Sequence, residues 1–141
     1  MSRLVLIVED SETCGETLLI ALESMPGIEA RVIRSPRAAI AAIHDPGNDV
    51  AALVTDLNLG DNFGDNPGSN PGNPAQPLRN GFDLIRKLRD EPRFARLPIL
   101  LISGDSDPLL PERALAQGAN AFFPKPYSPS AVRRKLEQLL C

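Results

Sequence analysis

At 141 residues, the chain is the right size for one domain that buries roughly two-thirds of its unfolded surface. With 43% apolar and 23% charged residues it reads as an ordinary soluble globular protein, and a formal net charge of −3 argues against a nucleic-acid surface. No apolar run approaches the ~20 residues that span a bilayer, and the chain runs into a strand pattern without a signal-peptide pattern, so a cytoplasmic protein with no membrane partner is expected. Two cysteines, Cys14 and Cys141, and one histidine, His44, argue against a disulfide framework or a histidine-rich metal site.

The first predicted strand is Arg3 to Val8. Ser11 then caps a helix whose apolar stripe, Cys14, Leu18, Leu22 and Met25, recurs every three or four residues until Pro26-Gly27 stops it. Ile28 to Ile33 alternates apolar and charged residues, as an edge strand does. Ser35-Pro36 opens a second helix with Ala38, Ala39, Ala42 and Ile43 on its face. The Asp45-Pro46-Gly47-Asn48 turn ends it, leaving His44 as a surface residue at the helix end. The third strand, Ala51 to Thr55, has no polar alternation and ends on Asp56. Gly81 opens a third helix with Phe82, Ile85 and Leu88 inward, its arginines, lysine and aspartates outside, and Pro92 at its end. Ile99 to Ile102 is the fourth strand. A helix over about Pro111 to Gln117 stops at Gly118, placed for a left-handed cap. Ala121 to Phe123 is the fifth strand, and Ser128-Pro129 opens a last helix with Val132, Leu136, Leu139 and Leu140 inward.

Five alternations of strand and helix, with strands too apolar to be half-exposed, predict an α/β fold: a doubly wound, five-stranded parallel sheet with helices on both faces. The expected organisation is a single domain over 1–141, with no room for a C-terminal effector. Proline and glycine make up 24 of the 141 residues, and they concentrate between Gly60 and Pro77. That concentration marks a local insertion, at about 60–78 between the third strand and third helix, and not a disordered chain.

The chemistry lies where the strands end. The first delivers Glu9 and Asp10, the third Asp56, the fourth Ser103, and the fifth Lys125 between Pro124 and Pro126. In an open α/β sheet these carboxyl ends share one edge, the place where such sheets bind ligands. Two carboxylates a few ångströms apart repel by about 4 kcal/mol at an effective dielectric of 20, so the cluster needs a cation or raised pKa values. An incomplete set of hard oxygen ligands favours Mg²⁺, which keeps waters and shares its shell with phosphate. A carboxylate can act as a nucleophile toward phosphorus. Positive charge and hydrogen-bond donors from Lys125, Ser103 and the cation then serve the transferring group. The set matches phosphorylation at Asp56 and includes no obvious second catalytic base.

Four segments in order, Leu6-Ile7-Val8-Glu9-Asp10, Leu53-Val54-Thr55-Asp56-Leu57-Asn58, Leu100-Leu101-Ile102-Ser103-Gly104 and Gly118-Ala119-Asn120-Ala121-Phe122-Phe123-Pro124-Lys125-Pro126, resemble the receiver domain of two-component response regulators over nearly the whole chain. The resemblance implies the flavodoxin-like strand order 2-1-3-4-5. It implies Asp56 as phosphoacceptor, and Mg²⁺ held by Asp10, Asp56 and the backbone carbonyl of Asn58, with Glu9 acting through water. Ser103 and Lys125 would contact phosphoryl oxygens, Phe122 would hold the aromatic switch position, and Lys125-Pro126 would be cis. It further implies phosphate from a sensor histidine kinase or phosphotransfer protein, a downstream protein partner, and no enzymatic activity beyond self-phosphorylation and autodephosphorylation.

One departure stands out. Receivers place a glycine about eight residues beyond the acceptor, whereas Gly81 lies 25 beyond Asp56. The intervening tract has a length and composition that point equally to a tolerated insertion or to a loop that screens Asp56 or meets a partner. Two other functions compete. A haloacid-dehalogenase-type phosphatase would place Asp-x-Asp after the first strand, but here Asn58 stands two beyond Asp56. A degenerate receiver would act as a phosphorylation-independent binding module, but would not need the full set of site residues.

Overall fold

The computed structural model describes residues 3–9, 12–57 and 80–140, with the backbone alone for 12–14. Asp10, Ser11, Asn58, the 60–78 insertion and Cys141 lie outside the described residues, as does the Cys14 side chain. Among the described residues the elements follow in order: β1 (Arg3–Val8), α1 (Glu12–Glu23), β2 (Ile28–Ile33), α2 (Pro36–His44), β3 (Val50–Asp56), α3 (Gly81–Arg89), a 3₁₀ turn (Pro92–Phe94), β4 (Ile99–Ser103), α4 (Leu110–Gln117), β5 (Ala121–Pro124) and α5 (Pro129–Leu140). The five strands form one parallel sheet in the order β2-β1-β3-β4-β5, as expected.

Alternate residues of the central strands feed two cores, which is why these strands are apolar except at their ends. Leu4, Leu6, Val8, Leu53, Ile99 and Leu101 pack with Ile43, Leu84, Ile85, Leu88 and Ala114 beneath α2, α3 and α4. Val5, Ile7, Val54, Leu100 and Ile102 pack with Leu18, Leu22, Val132 and Leu136 beneath α1 and α5. Each fully buried Leu, Ile or Val contributes about 1.5–3 kcal/mol. β2 lies at one edge with Glu29 and Arg31 exposed and paired at 3.6 Å, so its alternation does report an edge position.

The helix signals act through named bonds. Ser35 Oγ accepts from the Ala38 amide at 3.1 Å, and Asp45 caps the other end of α2, its side chain accepting from the Gly47 amide at 2.9 Å. Asn80 caps α3 through Asp83 N at 3.0 Å. Gly118 ends α4 at φ +114°, a left-handed conformation that penalises any side chain.

Two residues behave differently from expectation. His44 ends α2 as expected but is half-buried, not simply a surface residue. Its Nδ1 lies 2.9 Å from the Ile40 carbonyl, its Nε2 2.8 Å from Glu91, and its ring meets Phe94 edge-on. It therefore ties α2 to the turn after α3. Arg89, expected outside with the other charged residues of α3, turns in across the lower end of the sheet. Its guanidinium donates to the Gly118 carbonyl (2.8 and 3.0 Å), the Phe94 carbonyl (2.7 Å) and Asn120 Oδ1 (3.1 Å). Burial lowers its pKa, a cost those acceptors offset.

Candidate functional site

Four adjacent parallel strands bring the residues at or just beyond their ends to one edge. Asp56 is the final residue of β3 and Ser103 of β4, while Glu9 follows β1 and Lys125 follows β5. Backbone pairing continues past the strand ends: Leu57 N donates to the Ile102 carbonyl at 2.8 Å, and Lys125 N to the Ser103 carbonyl at 2.8 Å. Glu9 is 2% exposed, Asp56 3% and Ser103 0%, so these polar groups are buried at the sheet end and not splayed into solvent.

Lys125 draws the two carboxylates together. Its Nζ lies 2.5 Å from Asp56 Oδ2 and 3.1 Å from Glu9 Oε2, with a quarter of its side chain exposed. Burial opposes the ammonium, yet the hydrogen bond and charge of Asp56, followed by those of Glu9, raise the Lys125 pKa above its ordinary value. The lysine is thereby held charged across any physiological pH. The Lys125-Pro126 peptide is cis, as the sequence resemblance implied.

The backbone beside Asp56 is equally constrained. Thr55, fully buried, donates its hydroxyl to the Asp56 carbonyl at 3.0 Å. Gly81 N donates to the Leu57 carbonyl at 2.9 Å, which brings the two sides of residues 58–79 together beneath the site. A Cβ at Gly81 would stand 2.6 Å from the Asp56 carbonyl oxygen and 3.1 Å from Leu57 Cα. Glycine is required here for close approach, although Gly81 is 25 residues distant in sequence.

Lys125 thus joins Glu9 and Asp56, and Ser103 stands at the end of the adjacent strand β4. Phe122 is half-buried in β5 and packs against the core beneath α3 and α4, one strand away from Ser103. Asp10 and Asn58 lie outside the described residues, and among the described residues no group of three His, Cys, Asp or Glu side chains could hold a metal. Sequence reading missed Thr55, whose signal was a lone hydroxyl in an apolar strand. It also missed the hydrogen-bonded loop after Ser103, whose signal was aspartate at alternate positions 105 and 107. No described helix is long and apolar enough to cross a membrane.

No family model matches the chain. Chemotaxis protein CheY1 of Helicobacter pylori is 27% identical over 136 residues, covering 96% of this chain and 95% of that protein. A response regulator receiver protein from Pseudomonas putida superposes with a TM-score of 0.72 and 27% identity, over 98% of this chain and 97% of the other. The fold is shared also by the response regulator Rcp1 in its Mn²⁺-bound form, at 15% identity and a TM-score of 0.70 over 97% and 91% of the two chains. In strand order, in the residues at its strand ends and over nearly its whole length, the chain is similar to the chemotaxis-receiver-like domains of two-component response regulators.

Proposed function

We propose that this chain is a response regulator receiver, cytoplasmic, that takes a phosphoryl group on Asp56 from a sensor histidine kinase or histidine phosphotransfer protein and so switches the binding of a downstream protein. The supporting observation is a lysine ammonium bridging two buried carboxylates at the carboxyl edge of the sheet. An Asp56 carboxylate oxygen attacks phosphorus and forms the new O–P bond. The bond from phosphorus to the donor breaks, and its electron pair leaves with the donor, an imidazole nitrogen in phosphohistidine or a carboxylate oxygen in acetyl phosphate. Lys125 shifts from the carboxylate to a phosphoryl oxygen, and the Ser103 hydroxyl donates to another.

The buried oxygen donors Glu9 and Asp56 suit a hard divalent cation, for which Mg²⁺ is the natural choice. Asp10, Asp56 and the Asn58 carbonyl would hold it, with Glu9 reaching it through water. When bound, it neutralises charge on the phosphoryl oxygens. Phe122 is the switch residue by this reading, responding to movement of Ser103 in the adjacent strand. The chain itself catalyses only its own phosphorylation and dephosphorylation.

Intact-mass measurement after acetyl phosphate and Mg²⁺ tests this directly. Wild type gains one phosphoryl group, while Asp56→Asn gains none, and EDTA abolishes the gain. A folded wild type that binds Mg²⁺ and gains nothing would overturn the reading in favour of a phosphorylation-independent binding module.

A further inference from the structure

The loop leaving β4 repeats one hydrogen-bonding device three times. Ser103 Oγ accepts from the Asp105 amide at 3.0 Å, Asp105 Oδ1 from the Asp107 amide at 3.0 Å, and Asp107 Oδ1 from the Leu109 amide at 2.9 Å. Each bond spans two residues, so alternate positions supply the side-chain oxygen and the series ends at the first turn of α4. There the second Asp107 oxygen lies 3.3 Å from Arg113 Nη1. The Arg113 guanidinium in turn sits 5.5 Å above the Phe82 ring. Phe82 is buried and follows Gly81, the residue packed against the Asp56 carbonyl. The relay thus begins at the site hydroxyl and returns to the backbone beneath the site carboxylate.

Ser103 has a particular need of such support. Among the described residues its Oγ bonds the Asp105 amide and not the Asp56 carboxylate. A hydroxyl has one proton and two lone pairs. With one lone pair engaged by a fixed amide, the oxygen is anchored and its proton remains to be donated. The anchor is only as firm as the loop, and the loop is held by Asp105, Asp107 and Arg113.

We propose that Asp105, Asp107 and Arg113 are positioning residues for Ser103, holding its hydroxyl to donate to a phosphoryl oxygen arriving at Asp56. This rests on the phosphoacceptor reading of Asp56. It adds three residues that touch neither phosphate nor cation, and it makes the α4 end of the relay a determinant of transfer rate.

The test is the rate of phosphorylation by acetyl phosphate at saturating Mg²⁺, followed by intact mass. Ser103→Ala slows transfer about tenfold or more, as loss of a donor to developing charge does. Asp107→Ala and Arg113→Met each slow it about two- to fivefold, the range of a partly exposed ion pair, and Arg113→Lys recovers part of the loss. The deciding measurement is the double variant Ser103→Ala/Asp107→Ala, which is no slower than Ser103→Ala alone if Asp107 acts through Ser103. An Asp107→Ala effect that is the same in both backgrounds, absent, or accelerating overturns the inference. Failure of the site reading looks different: wild type takes no phosphate, or Ser103→Ala leaves the rate unchanged. Should Asp107→Ala fail to fold, Asp107→Asn keeps the Oδ1 acceptor, removes only the charge facing Arg113, and is held to the same criterion.

Discussion

Replacing Lys125 by methionine removes the cation from between two buried carboxylates while keeping the side-chain volume. At 2.5 Å from Asp56 and 3.1 Å from Glu9, each pairing is worth about 5–7 kcal/mol of Coulomb energy at an effective dielectric of 20. Desolvation of the three groups, several kcal/mol per ion, cancels most of it. Removing one partner of a buried pair nevertheless leaves the other charge uncompensated, at a cost of about 3–5 kcal/mol. With a quarter of the lysine exposed, the lower figure applies, and about 3 kcal/mol corresponds to a fall of roughly 10 °C in Tm for a domain of this size. The pH sign follows from the raised pKa: the contribution is fully present below pH 10.5 and lost only as pH rises through the folded value, so neutral pH reports it in full. Urea and thermal unfolding in EDTA, against the wild type, measure the loss. Mg²⁺ should then stabilise Lys125→Met more than wild type, because the cation no longer competes with the ammonium. At about 100 times its Kd it restores some 2.7 kcal/mol. A variant as stable as wild type in EDTA, or one that Mg²⁺ does not rescue, would refute the assignment of Lys125 as the counter-charge of this site.

Gly81→Ala places a methyl 2.6 Å from the Asp56 carbonyl oxygen, so a loss of about 1–3 kcal/mol is expected in urea unfolding, together with slower phosphorylation; neutrality would show that the backbone yields freely there. Arg89→Leu removes the four hydrogen bonds that join α3 to Gly118, Phe94 and Asn120. It should cost about 2 kcal/mol in Tm-derived stability without changing the phosphorylation rate. Deleting 61–77 shortens the connection between Leu57 and Asn80 from 22 residues to five, a change of only about 1 kcal/mol in closure entropy. The deletion variant should therefore fold, and its phosphate lifetime and partner binding then report whether that segment acts on Asp56; a variant that unfolds would mean the segment contributes to stability.

Strand positions were legible because a strand buried on both faces is apolar along its length, with polar residues confined to its ends, and that demand is written locally. The ends of β3 and β4 run one residue further than the apolar pattern, since backbone pairing carries on through Asp56 and Ser103. Pattern alone therefore separated the site residues from the strands that position them. The order of the strands was not legible from periodicity and came from the resemblance to receivers. Least legible were side chains whose partners are set by tertiary approach. His44 and Glu91 are 47 residues apart, and Arg89 and Gly118 are 29 apart. A charged residue at a helix end looks the same in sequence whether it faces water or a distant carbonyl. The Ser103–Asp105–Asp107 relay is local, but alternating oxygen-bearing residues are as common in solvated loops.

The two margins of the sheet bear on how this protein can meet others. An unpaired strand margin is a template for another chain's backbone, and proteins guard it with charge, shortness or proline. β2 presents Glu29 and Arg31 along its outer margin, and β5 is four residues long and closes on Pro124, which has no amide hydrogen to offer. Both margins are thus poor templates for main-chain pairing. Self-association into extended sheets is discouraged at high concentration, and recognition of this domain is left to the outer surfaces of its helices and to the loops around Asp56, not to strand addition.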